Sequence, residues 1–148
     1  KTLGAANKIL HVFDTAGCAT AIAKSMDKYC GTQSRVITRK ASDPFGFTEN
    51  PWNCSPYIFA LRTVLEARKY DTIIIHVWDK CLPWLRRFYP SKQLVMFYHG
   101  SDIRKKGWLA KKKYWSKADH IFVSTRDLAA LPNAPEVTIV PVIVGVDL

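Results

Sequence analysis

Five short apolar segments of this sequence each lead into polar side chains that could carry chemistry. The segments are KILHVFD, SRVITRK, TIIIHVWD, LVMFYHGSD and HIFVSTRD. The polar candidates that follow them are Asp14, His76, Asp79, His99 and Asp102. A histidine that leaves a buried strand and is followed by Gly and Asp, as in YHGSD, can act as an acid, a base or a hydrogen-bond donor near a charged substrate.

The apolar segments themselves predict the elements that position these side chains. Runs of β-branched residues without polar alternation are typical of strands buried on both faces, as in a parallel sheet covered by helices. Helix-length segments separate the runs. We therefore predict one α/β domain over residues 1–148, a doubly wound, mostly parallel Rossmann-like sheet with helices on both faces. In such a sheet, ligands bind beyond the carboxyl ends of the strands.

Turn and capping signals give the expected bounds. Ser55 and Pro56 suit the start of a helix, and Gly31 suits the end of one. We predict strands at 8–13, 35–39, 72–77, 93–98, 120–124 and 137–142, and helices at 18–29, 56–69, 83–89, 108–118 and 126–131.

The turn after the first strand, DTAGCATAIAK, places Gly17 where the chain enters a helix. Backbone N–H groups at such a position can bind phosphate, helped by the helix dipole. Only one glycine is present, so the three-glycine dinucleotide fingerprint is absent. A phosphate site and a plain strand–helix turn both remain open at this point.

The net charge of +10 is concentrated in one segment. Residues 80–117 hold eleven Lys and Arg but a single acid, whereas the rest of the chain is balanced. Such a concentration predicts an anionic partner more than a solvated lysine face. Basic residues with exposed aromatics suit an anionic membrane, and less well nucleic acid. The predicted contact residues are Trp84, Arg86, Arg87, Lys105, Lys106, Trp108, Lys112, Lys113 and Lys117.

Composition excludes several other classes of protein. The four cysteines are spread without a CxxC pair, which argues against a zinc site and a disulfide scaffold. No apolar stretch approaches the length of a membrane span, and the start KTLGAANK lacks a signal-peptide core. We therefore expect a cytoplasmic protein that binds the inner face of the membrane peripherally.

Taken in order, these motifs resemble the N-terminal domain of GT-B glycosyltransferases, specifically the retaining branch whose partner half is called the glycosyl transferases group 1 domain. The resemblance covers essentially the whole chain. It rests on the glycine turn, HVWD, FYHGSD, KADHIFVST, and the end VPVIVGVDL, which is similar to the family's link into its second domain. Two positions depart from the family: Ala16 stands for a glycine, and Val144 stands for an asparagine.

The resemblance implies a function and a set of roles. The chain would be the acceptor-binding half of a hexosyltransferase-like enzyme that moves a sugar from a nucleotide-sugar donor to a lipid-linked or polysaccharide acceptor. Gly17 would lie against the donor diphosphate and His99 near the reacting sugar, with His76, Asp79 and Asp102 on the acceptor side. No metal or other cofactor is implied. The family's donor-binding second domain is absent from this chain, so we expect this domain alone to be inactive.

Three other classes of function compete with this interpretation. The basic segment would also suit a nucleic-acid-binding module, although no recognised motif of that kind is present. The second is a nucleotide-cofactor domain. In an NAD-binding domain the second strand ends in an acid that binds the ribose hydroxyls. The second strand of this chain ends in Arg39 and Lys40, which would tolerate only a cofactor with a 2′-phosphate. A receiver-like signalling domain is disfavoured because the first strand is not followed by an acidic cluster.

Overall fold

The computed structural model describes residues 6–41, 46 and 48–142. Its sheet has six parallel strands in the order β2-β1-β3-β4-β5-β6. The strands are β1 (Lys8–Val12), β2 (Gln33–Ile37), β3 (Thr72–His76), β4 (Gln93–Tyr98), β5 (His120–Val123) and β6 (Thr138–Ile139). The predicted doubly wound, parallel Rossmann-like fold is therefore confirmed.

Helices connect the strands. They are α1 (Cys18–Cys30), α2 (Pro56–Ala67), α3 (Leu82–Phe88), α4 (Ser101–Arg104), α5 (Gly107–Ala110), α6 (Lys112–Trp115) and α7 (Arg126–Ala129), with a 3₁₀ turn at Asp79–Cys81 before α3. Two predicted caps are confirmed. Ser55 Oγ accepts the Ile58 N–H at 3.3 Å, and Gly31 ends α1 in the left-handed conformation.

Apolar packing separates the two faces of the sheet. On one face, Ile22 and Met26 of α1 pack on the cluster of Ile9, Ile74, Val95 and Phe97; we call this the α1 face. The other face carries the larger core, in which side chains of α2, α3, α5 and α7 pack on β1, β3 and β4. Because β1, β3 and β4 are covered on both sides, their polar groups have to find partners inside the protein or at the strand ends.

The strand order also locates the switch point. From β1 the chain steps outward to β2, then returns to β3 on the other side of β1 and continues in the opposite direction. The crevice that this reversal opens lies at the carboxyl ends of β1 and β3, which is where open α/β sheets bind their ligands.

The basic segment folds differently from the single helix predicted at 108–118. It forms three short helices, α4, α5 and α6, and the residues that they direct to the core differ from those of a single continuous helix. Ala110 is exposed, whereas Trp108 and Lys111 are buried. Trp108 packs edge-on to Tyr98 and donates its indole N–H to the Leu128 carbonyl at 2.9 Å. Its assignment to a membrane-binding surface is therefore wrong.

Smaller differences concern strand bounds. β2 begins and ends two residues earlier than predicted, and β6 is reduced to two residues. Residues 42–45 and 47, between β2 and α2, lie outside the described residues, as do residues 143–148, which contain Val144 and most of the family-like link. Among the described residues, the helices are too short or too polar to cross a bilayer.

Candidate functional site

The turn after β1 joins a left-handed glycine to a buried carboxylate. Gly17 has φ 75° and ψ 6°, a conformation that favours glycine, and it precedes the first turn of α1. Asp14 is fully buried; its Oδ1 accepts the Ala19 N–H at 2.9 Å and its Oδ2 the Thr20 hydroxyl at 2.6 Å. A phosphate bound beside Gly17 would therefore share the helix N-terminus with the Asp14 carboxyl group.

The chain beyond β3 is strained. Val77 has φ 63°, which is rare for a β-branched residue, and the Trp78 N–H reaches back to the His76 carbonyl at 2.6 Å. An inverse γ-turn follows at Trp78, whose φ is −81° and ψ 65°, with the Asp79 N–H on the Val77 carbonyl at 2.9 Å. After β1, Phe13 also has a positive φ, of 72°. Backbone strain of this kind clusters at ligand sites.

The turn after β4 is held from two sides. Asp102 accepts the N–H of His99 at 3.1 Å and that of Gly100 at 2.8 Å. Ser124 donates its hydroxyl to the His99 carbonyl at 2.8 Å. The Asp102 carboxylate therefore orders the backbone that carries His99, and the half-buried His99 ring lies at the carboxyl end of the sheet.

Three histidine rings form a continuous chain across the α1 face. His11 Nδ1 lies 3.1 Å from His76 Nε2, and His76 Nδ1 lies 2.9 Å from His99 Nε2. The rings are roughly stacked, with centroids 5.4 and 5.2 Å apart, and Phe97 stacks on His99. His11 and His76 are fully buried. We call this row the histidine chain.

Burial keeps the histidine chain neutral. Desolvation lowers the pKa of His11 to about 4, partly opposed by Asp27. It lowers the pKa of His76 well below its ordinary value, with His11 and His99 adding to the effect. Desolvation also lowers the pKa of His99, and Asp102 opposes this. At neutral pH each ring therefore carries one N–H and one lone pair.

A buried ion pair lies on the other side of the same sheet edge. Lys111 Nζ lies 2.7 Å from Asp79 Oδ2, which also accepts the Tyr98 hydroxyl at 2.9 Å. The side chains of Lys111 and Asp79 are 11% and 4% exposed. This pair holds the basic segment against the end of β3. Asp79 Oδ2 accepts hydrogen bonds from both Lys111 and Tyr98.

A crevice of about 360 Å³ opens above this ion pair. Phe13 and Trp78 contribute aromatic surface, and Lys80, Lys105 and Lys106 contribute exposed positive charge. We call this the edge crevice. Its full lining is Phe13, Val77, Trp78, Asp79, Lys80, Ser101, Asp102, Lys105, Lys106 and Lys111. The combination suits a ligand that carries a negative group and a flat apolar or sugar face.

The structure thus divides the sequence-predicted residues into two groups at one edge. His76 and His99 are brought together in the histidine chain, whereas Asp79 and Asp102 line the edge crevice. Gly17 lines neither, although it lies at the carboxyl end of the neighbouring strand β1. The catalytic, donor-binding and acceptor-binding roles assigned to these residues remain predictions.

Two residues of the site escaped the sequence analysis. His11 stands inside an apolar run, and its contact with His76 depends on the register that sets it opposite Ile74. Lys111 is one of six lysines between residues 105 and 117, so only its distant partner Asp79 marks it as buried. A histidine on an otherwise apolar central strand was the one available signal, because an unpaired buried imidazole is unfavourable.

Most of the predicted basic surface is exposed. Trp84 and Phe88 on α3 are 53% and 60% exposed. Arg86 differs from the prediction, because its guanidinium binds the carbonyls of Pro90, Lys92 and Lys117 and the carboxylate of Asp119. Arg86 therefore stabilises the fold through these contacts. The predicted basic contact residues that are exposed are Arg87, Lys105, Lys106, Lys112, Lys113 and Lys117. No cluster of three metal-ligating side chains occurs among the described residues.

We predict that breaking the Asp79–Lys111 pair destabilises the protein strongly. Lys111→Met leaves the Asp79 carboxylate buried without its cation, which typically costs about 3–5 kcal/mol. Adding Asp79→Asn removes the stranded charge while keeping an acceptor for Tyr98, so the double variant should recover most of the loss. Urea unfolding of both variants measures the difference; equal stability of the single and double variants would contradict this account.

We further predict that stability falls as the pH drops from about 6.5 towards 4. The pKa of His11 is about 4 in the folded state, below its unfolded value, so the unfolded chain binds more protons in this window. The contribution of His11 reaches about 3 kcal/mol at the acid end. Urea unfolding at several pH values should show a flatter profile for His11→Phe. Asp119 and Asp127, whose pKa values are lowered, lose their contributions only below this window.

Comparison with known proteins adds little to this geometry. No family model matches the chain, and no curated protein matches it. A solved structure of a protein of unknown function from Vibrio parahaemolyticus is similar, with 11% sequence identity and a TM-score of 0.47. The match covers 86% of this chain and 98% of that one.

Proposed function

We propose that this chain is the N-terminal, acceptor-binding domain of a retaining GT-B glycosyltransferase. In this proposal a sugar passes from a nucleotide-sugar donor to an acceptor hydroxyl, and the ligands meet at the carboxyl edge of the sheet. The observation that carries it is the convergence at one edge of two strained strand ends, Phe13 and Val77, with the half-buried imidazole of His99. The motif resemblance supplies the reaction class.

His99 is suited to hydrogen bonding and poorly suited to carrying charge. Burial lowers its pKa, so a neutral ring faces the ligand near pH 7. During transfer the bond from the anomeric carbon to the diphosphate breaks, the acceptor oxygen bonds to that carbon, and the acceptor proton passes to the leaving phosphate. In this scheme His99 donates a hydrogen bond to a donor-sugar hydroxyl, and such a positioned bond lowers the barrier most when charge develops.

The edge crevice supports an acceptor that carries phosphate. Lys80, Lys105 and Lys106 are exposed around it, and Trp78 offers a ring on which a sugar can pack. A lipid-phosphate-linked acceptor presents both features, whereas a neutral polysaccharide leaves the three lysines without a counter-charge. We therefore favour the lipid-linked acceptor.

We predict that UDP-glucose or GDP-mannose binds weakly to this domain at the carboxyl edge. In ¹H–¹⁵N spectra, the amides of Gly17 and of His99–Ser101 should shift on titration. Because one neutral hydrogen bond contributes about 0.5–1.5 kcal/mol, His99→Ala should weaken binding about two- to tenfold. In an enzyme that joins this domain to a donor-binding domain, the same variant should lower kcat about a hundredfold or more.

His120→Ala is the matched control, because His120 is exposed at the amino end of β5, on the opposite edge. It should leave the titration unchanged. Failure of both nucleotide sugars to shift the carboxyl edge would overturn the proposal. Saturable binding of NADPH there would favour a nucleotide-cofactor domain.

A peripheral membrane location is the second part of the proposal. Trp84 and Phe88 of α3 and Leu109 of α5 are exposed, and α3 packs beside α6, which carries Lys112 and Lys113. A basic residue near an anionic bilayer contributes about 1 kcal/mol, so several together can hold a domain at the surface. Such a surface would bring a lipid-linked acceptor to the edge crevice.

We predict that the protein co-sediments with vesicles containing phosphatidylglycerol at low salt, and that high salt releases it. Trp84→Ser with Phe88→Ser should weaken binding, as should Lys112→Gln with Lys113→Gln. Lys28→Gln with Tyr29→Ser on α1, across the sheet, removes one charge and one exposed ring and should have little effect. Equal binding to neutral and anionic vesicles would contradict the prediction, and tighter binding to an oligonucleotide would favour the nucleic-acid alternative.

A further inference from the structure

A second crevice lies along β2, the outermost strand on one side of the sheet. It has a volume of about 470 Å³, and its lining shares no residue with that of the edge crevice. Residues between 20 and 27 of α1 form one wall, and residues between 49 and 52 form the other. We call it the β2 crevice. Its volume falls within the range of about 300–1,000 Å³ that is usual for small-molecule sites.

The charges that line the β2 crevice cancel. Lys24 and Arg35 supply two cations, and Asp27 and Glu49 supply two carboxylates. Lys24 Nζ forms an ion pair with Glu49 Oε1 at 2.8 Å, which joins the two walls. The edge crevice differs, because four lysines line it against two aspartates. An ionic ligand therefore gains little net Coulomb attraction in the β2 crevice, whereas a neutral ligand can use both kinds of group as hydrogen-bond partners.

Trp52 gives the same crevice a flat apolar surface. The ring is half-buried, and the Trp52 N–H donates to the Thr38 carbonyl at 3.0 Å, which holds the residue beside the end of β2. The Arg62 guanidinium lies 5.0 Å from the centre of the Trp52 ring, but Arg62 lines the neighbouring cavity on the α2 side and not the β2 crevice. The part of the ring that faces the β2 crevice is therefore not covered by this cation.

We infer that the β2 crevice is a binding site for a neutral saccharide. A sugar ring has a face of C–H groups that can pack on the Trp52 ring, and its hydroxyls both donate and accept hydrogen bonds. The carboxylate of Glu49 can accept from such hydroxyls, and the side chains of Arg35 and Asn50 can donate to them. A phosphate or another anion would meet as many carboxylates as cations, and it would not use the ring.

This saccharide site is separate from the proposed transfer chemistry. Gly17, His76 and His99 lie outside the lining of the β2 crevice. In a glycosyltransferase, a saccharide held here would be a part of the acceptor that is distant from the reacting hydroxyl. The site does not depend on that function, because none of the residues that line it has a role in the proposed sugar transfer.

The test is a titration of the ¹⁵N-labelled protein with maltotetraose, cellotetraose and tetra-N-acetylchitotetraose at millimolar concentrations. We expect at least one of these neutral oligosaccharides to shift the Trp52 indole N–H and the Asn50 amide. The indole signals of Trp108 and Trp115, which bind buried carbonyls, should stay unchanged. The affinity should be the same at low and high salt, because the ligand carries no charge. Absence of these shifts with all three sugars would overturn the inference, as would tighter binding of inorganic phosphate in the β2 crevice.

Two asparagines near Trp52 provide a matched pair of variants. Asn50 lines the β2 crevice and has φ 48°, so Asn50→Gly keeps the backbone conformation and removes only the amide group. Loss of one neutral hydrogen bond should weaken sugar binding about two- to tenfold. Asn53 has φ 47° and is exposed, but it does not line the crevice, so Asn53→Gly should bind as the wild type does. Equal affinities of the two variants would overturn the inference.

Trp52→Leu removes the flat ring and should weaken sugar binding about tenfold or more. The Trp52 ring also packs edge-on to Phe59, with centroids 5.6 Å apart, so this substitution can lower stability. The two asparagine variants keep the test independent of that effect. The oligosaccharide titration is read at Trp52 and Asn50, whereas the nucleotide-sugar titration is read at Gly17 and His99–Ser101. Failure of one therefore leaves the result of the other intact.

Discussion

The central strands of this sheet are covered on both faces, and this one constraint determines the chemistry of its carboxyl edge. Water does not reach most of β1, β3 and β4, so a polar group placed there is unfavourable unless another protein group satisfies it. Three arrangements meet the requirement. Asp14 binds the first turn of α1, Asp79 binds Lys111 and Tyr98, and the three histidines bind one another. Each of them fixes a side chain at a strand end.

The strain beyond β1 and β3 depends on these fixed side chains. A left-handed Val77 is unfavourable by about 1–3 kcal/mol and persists only where its surroundings hold it. His76 before it is bound on both ring nitrogens, and Asp79 after it is bound to Lys111 and Tyr98. The turn between them therefore has little freedom to relax. Because of this turn, the Trp78 ring lies in the edge crevice. If β3 continued in an extended conformation, the ring would lie along the strand.

Much of the fold could be predicted from the sequence because its signals are local. Uninterrupted β-branched runs marked the strands, and Ser55 and Gly31 marked helix ends within a residue or two. The basic segment was predicted poorly because its structure is set by a partner 32 residues away. Lysine at position 111 favours an exposed helix locally, and only the buried Asp79 turns it inward. The histidine chain was missed at His11 for the same reason, since strand register is a property of the assembled sheet.

The two sides of the carboxyl edge differ in charge, and this difference constrains any ligand that spans them. The α1 face presents the neutral His99 ring, since burial makes its protonated form unfavourable. The edge crevice presents exposed lysines above an ion pair whose own charges cancel. A ligand with one anionic end and one hydroxyl-rich end fits this division, because the anion gains from the lysines and the hydroxyl oxygens need only a neutral donor. A ligand anionic along its whole length would extend past these lysines to the neutral His99 ring, which offers no positive charge to it. The distribution of charge at the edge therefore favours a sugar phosphate over a polyanion.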